Sequence, residues 1–368
     1  MDQGARQAIA AEAARLSAHF ATAGAEPVEA DILQPAELLL DLYGEDIRAR
    51  AYVTRDPVQG EMMLRPDFTV PVVRMHMQDG AEPARYTYAG PVFRKQEAGA
   101  GRASEYLQVG YEVFDRADPA AADAEVFAQV AAALYGLPVR PATGDIGLLR
   151  AAVAGLSTTE RRRKALMRHL WRPARFRALL ERFAGRTPTA PERLALIDAA
   201  RAQGAAALVT GAGPEIGLRG ADEVITRIEA LVEDAEAPPI PAAECDAIEA
   251  LLALSDTAPR ALARLEGLAA ALPALAPAVA RMAARQDALA VRGVDVAALP
   301  FEGSFGRTTL EYYDGFVFGF SGPGDSPALA SGGRYDALTR HLGGGREIPA
   351  VGAVIRPALV VALREGGR

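Results

Sequence analysis

Between Tyr86 and Asp115 the chain alternates in a way that leaves it little choice of secondary structure. Tyr106, Gln108, Gly110, Glu112 and Phe114 fall on every second position, with Leu107, Val109, Tyr111 and Val113 between them. Successive side chains of a strand point to opposite faces, so this is a β-strand with one apolar face and one face on which Gln108 and Glu112 stand together. Tyr86, Tyr88, Val92 and Phe93 predict a preceding strand, joined to it by a long glycine-containing loop. Arg94 closes that first strand and Arg102 sits in the loop, so two cations overlook the polar face. The pattern admits either a surface hairpin with a solvated face or the floor of a polar ligand pocket.

A strand pair needs a larger sheet, and 368 residues, 50% of them hydrophobic and 24% charged, suffice for one large or two modest domains. No apolar run approaches the roughly 20 residues of a transmembrane helix, and Met1-Asp2-Gln3-Gly4 does not open a signal peptide. One cysteine, Cys245, excludes a disulfide framework within the chain and fits a reducing, cytoplasmic setting. With that cysteine and four scattered histidines, no metal-ligand spacing is present. A net charge of −7 argues against stable nucleic-acid binding, which depends on neutralising phosphates.

Residues 4 to 23 carry Ile9, Ala13, Leu16 and Phe20 near helical spacing and predict an amphipathic helix. A strand is expected from Val28 to Gln34, a short helix from Ala36 to Tyr43, and short strands at Arg50 to Thr54 and Glu61 to Leu64. Pro66 and Pro71 bracket a tight segment presenting Asp67 and Thr69 before a further helix, where both residue types also suit helix capping. Ala120 to Tyr135 predicts a helix and Val139 to Ile146 a strand. From about 151 to 294 strand signals nearly vanish and prolines cut the stretch into helices, an expected helical insertion. Its densest charge, Arg161-Arg162-Arg163-Lys164 continuing through Arg177, is either a solvated helix face or a docking surface for an acidic partner or RNA. Strand character returns at Phe301, with an aromatic hairpin expected around Asp314-Gly315 and a strand leading into a helix after Ile348.

Phe93-Arg94, a loop ending in Gly101-Arg102, and Tyr106-Leu107-Gln108-Val109-Gly110-Tyr111-Glu112-Val113 resemble motif 2 of the class II aminoacyl-tRNA synthetases, most of all its histidyl version. Four further segments follow in that family's order. Leu64-Arg65-Pro66-Asp67-Phe68-Thr69 resembles its Leu-Arg-Pro-Glu-x-Thr stretch, with Asp for Glu. Tyr312-Tyr313 matches its histidine-recognition signature, Gly332-Gly333-Arg334-Tyr335-Asp336 its Gly-Gly-Arg-Tyr-Asp, and Ile348 to Gly352 its motif 3 turn. The resemblance implies an α+β fold over 1–150 and 295–368, an antiparallel sheet with flanking helices, interrupted by the helical insertion 151–294. It implies histidine-binding roles for Asp67, Thr69, Gln108, Glu112, Tyr312 and Tyr313, and phosphate-facing roles for Arg94, Arg102 and Arg334, the last of which could instead hold the sheet edge.

The departures bear on activity. Thr308 stands where the synthetase has an arginine before its Tyr-Tyr signature, with Arg307 one residue early and so on the opposite face of a strand. Leu359 stands where motif 3 carries its arginine, and Gln96 replaces an acid of motif 2. Losing one positioned charge-stabilising donor costs about 10²–10³ in rate. A histidine-binding set retained beside eroded adenylation chemistry is similar to the regulatory subunits of ATP phosphoribosyltransferase, paralogues of that synthetase. That resemblance implies no catalytic residues and no cofactor. It implies a hetero-oligomer with a short-form ATP phosphoribosyltransferase catalytic subunit, a homodimer within it, and L-histidine as effector. A truncated active histidyl-tRNA synthetase and a synthetase-like RNA-sensing module are the alternatives.

Overall fold

A computed structural model describes residues 3–43, 47–96, 103–213, 219–307, 312–324 and 326–366. The chain divides into two compact units, Met1–Leu148 with Leu252–Glu266 and Pro277–Arg368, and Leu149–Leu251 with Gly267–Ala276. In chain order the strands of the first unit are β1 (Glu26–Pro27), β2 (Leu33–Pro35), β3 (Val53–Asp56), β4 (Gly60–Leu64), β5 (Ala84–Phe93) and β6 (Glu105–Phe114), then β7 (Arg140–Asp145), β8 (Ser255–Thr257), β9 (Pro300–Glu302), β10 (Phe316–Ser321), β11 (Ala328–Arg334) and β12 (Ala350–Ile355). Among the described residues nine of them form one sheet in the order β1-β5-β6-β12-β11-β10-β7-β9-β8, and β2-β4-β3 form a small second one. From β5 across to β7 every pairing is antiparallel, as the sequence leads one to expect.

The two faces of β6 explain the layering. Val109, Tyr111 and Val113 are fully buried on one face. Phe20, from the helix Gln3–Thr22, stacks on Tyr111 with ring centroids 5.0 Å apart. The Tyr111 hydroxyl donates to Glu125 of the helix Pro119–Ala133 at 2.6 Å. Helices thus take the apolar face of the strand. The other face, with Gln108, Gly110 and Glu112, is left for polar work. Strict alternation gives a strand of an antiparallel sheet one apolar face for the core and one polar face.

The helix Ala276–Val291, within the stretch expected to be helical, lies almost wholly in the first unit. Its Arg285 donates to Asp145 at 2.8 Å and lies 3.4 Å from Asp123, and Arg334 bonds the other oxygen of Asp123 at 2.7 Å. These buried charges are paired on both sides, which is what makes their burial tolerable. The hairpin expected around Asp314-Gly315 draws its first arm from residues outside the described ones, and within them Asp314 serves another element. Asp314 accepts from the backbone N–H groups of Asp336 (3.1 Å) and Ala337 (2.7 Å), capping the helix Asp336–Leu342, and β10 begins at Phe316. Residues 308–311, which preceded it in that reading, lie outside the described residues.

The second unit is helical. Ala200, Ala205 and Ile228 form one of its cores, packed by Leu208, Val209, Val224, Ile225 and Val232. Arg162 of the helix Glu160–Arg168 fastens the end of the helix Ala221–Glu236, bonding Asp234 Oδ1 at 2.6 Å and the carbonyls of Asp234 and Pro238. Arg162, one of the residues in the basic run, is therefore a packing element.

Candidate functional site

Glu112 is wholly buried in the middle of the sheet. Opposite it lie Tyr86 on β5 and Gly352 on β12, and Gly333 of β11 is the next residue across. A Cβ on Gly352 would sit 1.4 Å from Glu112 Oε2, and one on Gly333 would sit 2.9 Å from the Tyr313 ring. A Cβ on Gly110 would fall 2.0 Å from the ring of Tyr88. The three glycines clear the sheet face so that a carboxylate and two tyrosine rings can lie over it.

Three hydroxyls converge on that carboxylate. Oε1 accepts from Thr69 at 2.9 Å and from Tyr88 at 2.8 Å, and Oε2 accepts from Tyr335 at 2.5 Å. Burial pushes the Glu112 pKa up to about 7; the hydroxyls pull it back, and nearby Asp67 adds to the rise. Desolvation disfavours the charged form and hydrogen bonds to it favour it, so here burial wins. Among the described residues all the donors to Glu112 are neutral. A buried carboxylate held by hydroxyls alone is matched to a cationic or N–H-bearing ligand, which would replace lost hydration with charge.

The six residues of the expected set fall as follows. Thr69 opens the helix Thr69–Asp79 and bridges Glu112 to Tyr312, whose hydroxyl donates to Thr69 Oγ1 at 3.4 Å. Tyr312 stands edge-on to Tyr313 (4.7 Å between centroids) and to Tyr335 (6.0 Å). Tyr313 is buried beside Glu112, and burial first, then that charge, raise its phenol pKa. Asp67 is 2% exposed and accepts from the Val70 N–H at 3.3 Å, so it caps the helix while its charge reaches Glu112. Gln108 is 1% exposed, and its buried Oε1 has no hydrogen-bond partner among the described residues. An orphaned buried acceptor costs about 1–3 kcal/mol, which a bound donor would remove.

Tyr88 and Tyr335 are the residues that sequence reasoning did not place in the site. Gly110, on the same face as Glu112, was the available signal, because a glycine there leaves room for a ring from the facing strand, and Tyr88 is its partner on β5.

The arginines separate. Arg94 donates through Nε to the Pro66 carbonyl at 2.7 Å and lines a cavity of about 390 Å³ together with Arg50, Lys95, Arg356, Tyr106 and Leu359. Four cations and no carboxylate line this cavity among the described residues, so it suits an anion. Arg356 donates to the Ala328 carbonyl at 3.1 Å, and Leu359 offers only an apolar wall. Arg334 points elsewhere, into the ion pairs with Asp123 and Asp336 (3.0 Å). Arg102 and Thr308 lie outside the described residues. No group of histidine, cysteine and acidic side chains suited to a metal occurs among the described residues, and no described helix is long and apolar enough to cross a membrane.

The family model of the histidyl-tRNA synthetases matches residues 3–237 and 221–359. Among solved structures the chain resembles an ATP phosphoribosyltransferase regulatory subunit/histidyl-tRNA synthetase from Bacillus halodurans (TM-score 0.67, 22% identity, 97% of this chain and 79% of that one). It also resembles a histidine–tRNA ligase subunit from Alicyclobacillus acidocaldarius (TM-score 0.61, 23% identity, 98% and 94%). Sheet, flanking helices and buried pocket thus define a protein of the class II synthetase fold, histidyl type. The ATP phosphoribosyltransferase regulatory subunit of Brucella ovis is 34% identical over 346 residues, covering 89% of this chain and 90% of the relative, and that of Brucella abortus strain 2308 matches equally. Within the synthetase-like class the chain belongs to the family of ATP phosphoribosyltransferase regulatory subunits, whose role is regulatory and not catalytic.

Proposed function

We propose that this chain is the histidine sensor of a cytoplasmic ATP phosphoribosyltransferase complex in histidine biosynthesis. L-Histidine is its effector, bound over Asp67, Thr69, Gln108, Glu112, Tyr312 and Tyr313. The observation that carries the reading is the buried Glu112 carboxylate, served among the described residues by neutral hydroxyls and flanked by a Gln108 oxygen with no partner among them. Histidine brings an ammonium and imidazole N–H groups to such a floor. The partner is a short catalytic subunit, within a hetero-oligomer built on a homodimer of this chain. Feedback requires that histidine bind one state of the complex better than another, and the coupling is reciprocal.

Calorimetry with L-histidine is expected to give binding near micromolar, roughly −8 kcal/mol, and Glu112→Ala is expected to abolish it. In a reconstituted complex Glu112→Ala still activates the catalytic subunit, while inhibition of phosphoribosyl-ATP formation by histidine is lost. Histidine inhibition that survives in that variant, or no association of the two proteins in sedimentation, refutes the proposal.

A further inference from the structure

The helical unit contains a second concave site, which histidine sensing does not use. Helices Glu160–Arg168, Pro173–Phe183, Pro191–Gln203 and Ala221–Glu236 line an open cavity of about 500 Å³. Arg161, Arg162, Arg168, Arg182, Arg193 and Arg227 line it, and Asp234 is the one carboxylate among the described lining residues. The chain as a whole has more acids than bases, 47 against 40. The arginine excess is therefore local and needs its own cause.

Asp234 is already occupied. Its Oδ1 takes Arg162 at 2.6 Å and its Oδ2 takes Arg193 at 3.3 Å. Arg161 reaches Glu233 only at 3.8 Å, and Arg227 pairs with Glu223 on its own exposed helix face, so both pairs are weak and exchangeable. Arg182 differs from all of these. It is half-buried, its guanidinium lies 4.7 Å from the Phe183 ring, and its buried Nε has no hydrogen-bond partner among the described residues. Burial, then the charge of Arg193, lowers its pKa, as expected for a cation held among cations. A planar guanidinium fork among surplus positive charge suits oxyanions.

We propose that this pocket in the helical unit binds the polyphosphate group of a small ligand, with Arg182 as the inner donor and Arg161 and Arg168 at the rim. The source of that group is either inorganic polyphosphate or the tail of a nucleotide. Two features favour a small anion over RNA. The volume of about 500 Å³ is that of a small-ligand site, and single-strand binding needs aromatic faces for the bases. Phe183, the aromatic residue in the lining, already has two guanidinium groups against it, from Arg162 at 5.1 Å and Arg182 at 4.7 Å.

Calorimetry on the full chain at low ionic strength, with tripolyphosphate and separately with ATP, tests this. Binding of tripolyphosphate is expected. Arg168→Gln, an exposed change, and Arg182→Lys, which keeps charge but loses the fork, each weaken it by at least about tenfold. Arg356→Gln, in the other cationic cavity, leaves it within about twofold, as expected of an independent site. Equal affinity for ATP identifies the polyphosphate group alone as the ligand, and tighter ATP binding identifies a nucleotide. No heat with either probe overturns the proposal. So does loss of binding in Arg356→Gln with Arg168→Gln and Arg182→Lys unaffected, or displacement of tripolyphosphate by short single-stranded RNA at lower concentration.

Discussion

Two neighbouring regions on the strand β6 have opposite electrostatic characters. Around Glu112 a carboxylate is sealed from water, served by three hydroxyls and enclosed by glycines that admit no other side chain. Beside Tyr106 and Leu107 of the same strand, four cations line an open cavity in which Leu359 contributes no charge. The first region is over-determined: each group in it fixes another. In the second, Arg94 and Arg356 are each tied to a backbone carbonyl, and the cavity they line is open. A buried polar network resists piecemeal change because every deletion strands a partner, whereas solvated cations are exchanged at small cost.

The largest expected effect is that of Gly352→Ala. The new methyl would overlap Glu112 Oε2, 1.4 Å away, and a buried carboxylate between two strands has nowhere to retreat. We expect a loss of about 3 kcal/mol in denaturant unfolding together with loss of histidine binding. A Gly352→Ala protein of native stability would show the pocket to be as pliable as the cationic cavity.

Next comes a dependence on pH. The pKa of Glu112 is about 7 in the folded chain against 4.5 unfolded, so its protonated form is the one favoured by folding. Its contribution is therefore complete below about pH 4.5 and lost as pH rises through 7, up to about 3 kcal/mol in all. The difference in unfolding free energy between the ligand-free chain and Glu112→Gln should fall over that window and flatten above it. A difference independent of pH would mean that the carboxylate is solvated.

Tyr335→Phe removes the single hydroxyl on Oε2. We expect about 1–2 kcal/mol of destabilisation and an upward shift of the Glu112 titration, since that hydroxyl is the largest of the influences lowering its pKa. No shift in the stability–pH curve would reassign that influence. The smallest effect is expected in the other region: Arg356→Gln should change stability by at most about 1 kcal/mol and leave histidine affinity unaltered. A loss of histidine binding in that variant would merge the two regions into one site.

Alternation along Tyr106 to Phe114 was enough to place Gln108 and Glu112 on one face, because strand geometry is a local property. The helices at both ends of the first unit were legible for the same reason, whereas the antiparallel sheet was implied by the resemblance to the synthetases. Other features were not. Arg334 gave two options in the sequence, and its commitment to Asp123, 211 residues away, settles which contacts it makes. Asp314 looked like a turn residue and proved to be a helix cap, because short polar side chains serve both purposes equally well. Arg162 stood in a run of four cations indistinguishable by type, yet packing buries it while leaving Arg161 and Lys164 exposed.

The sequence by itself determined which strand face is polar, and its resemblance to the histidyl-tRNA synthetases implied a ligand role for acids and tyrosines and the loss of adenylation arginines at positions 308 and 359. Only the tertiary structure decided how the ligand region closes. Tyr335 reaches Glu112 across 223 residues of chain, and Gly352 meets the same carboxylate from a strand that forms near the chain's end. The physical reason is that periodicity and capping act over a few residues, whereas the ionisation of a buried carboxylate depends on everything that excludes water from it.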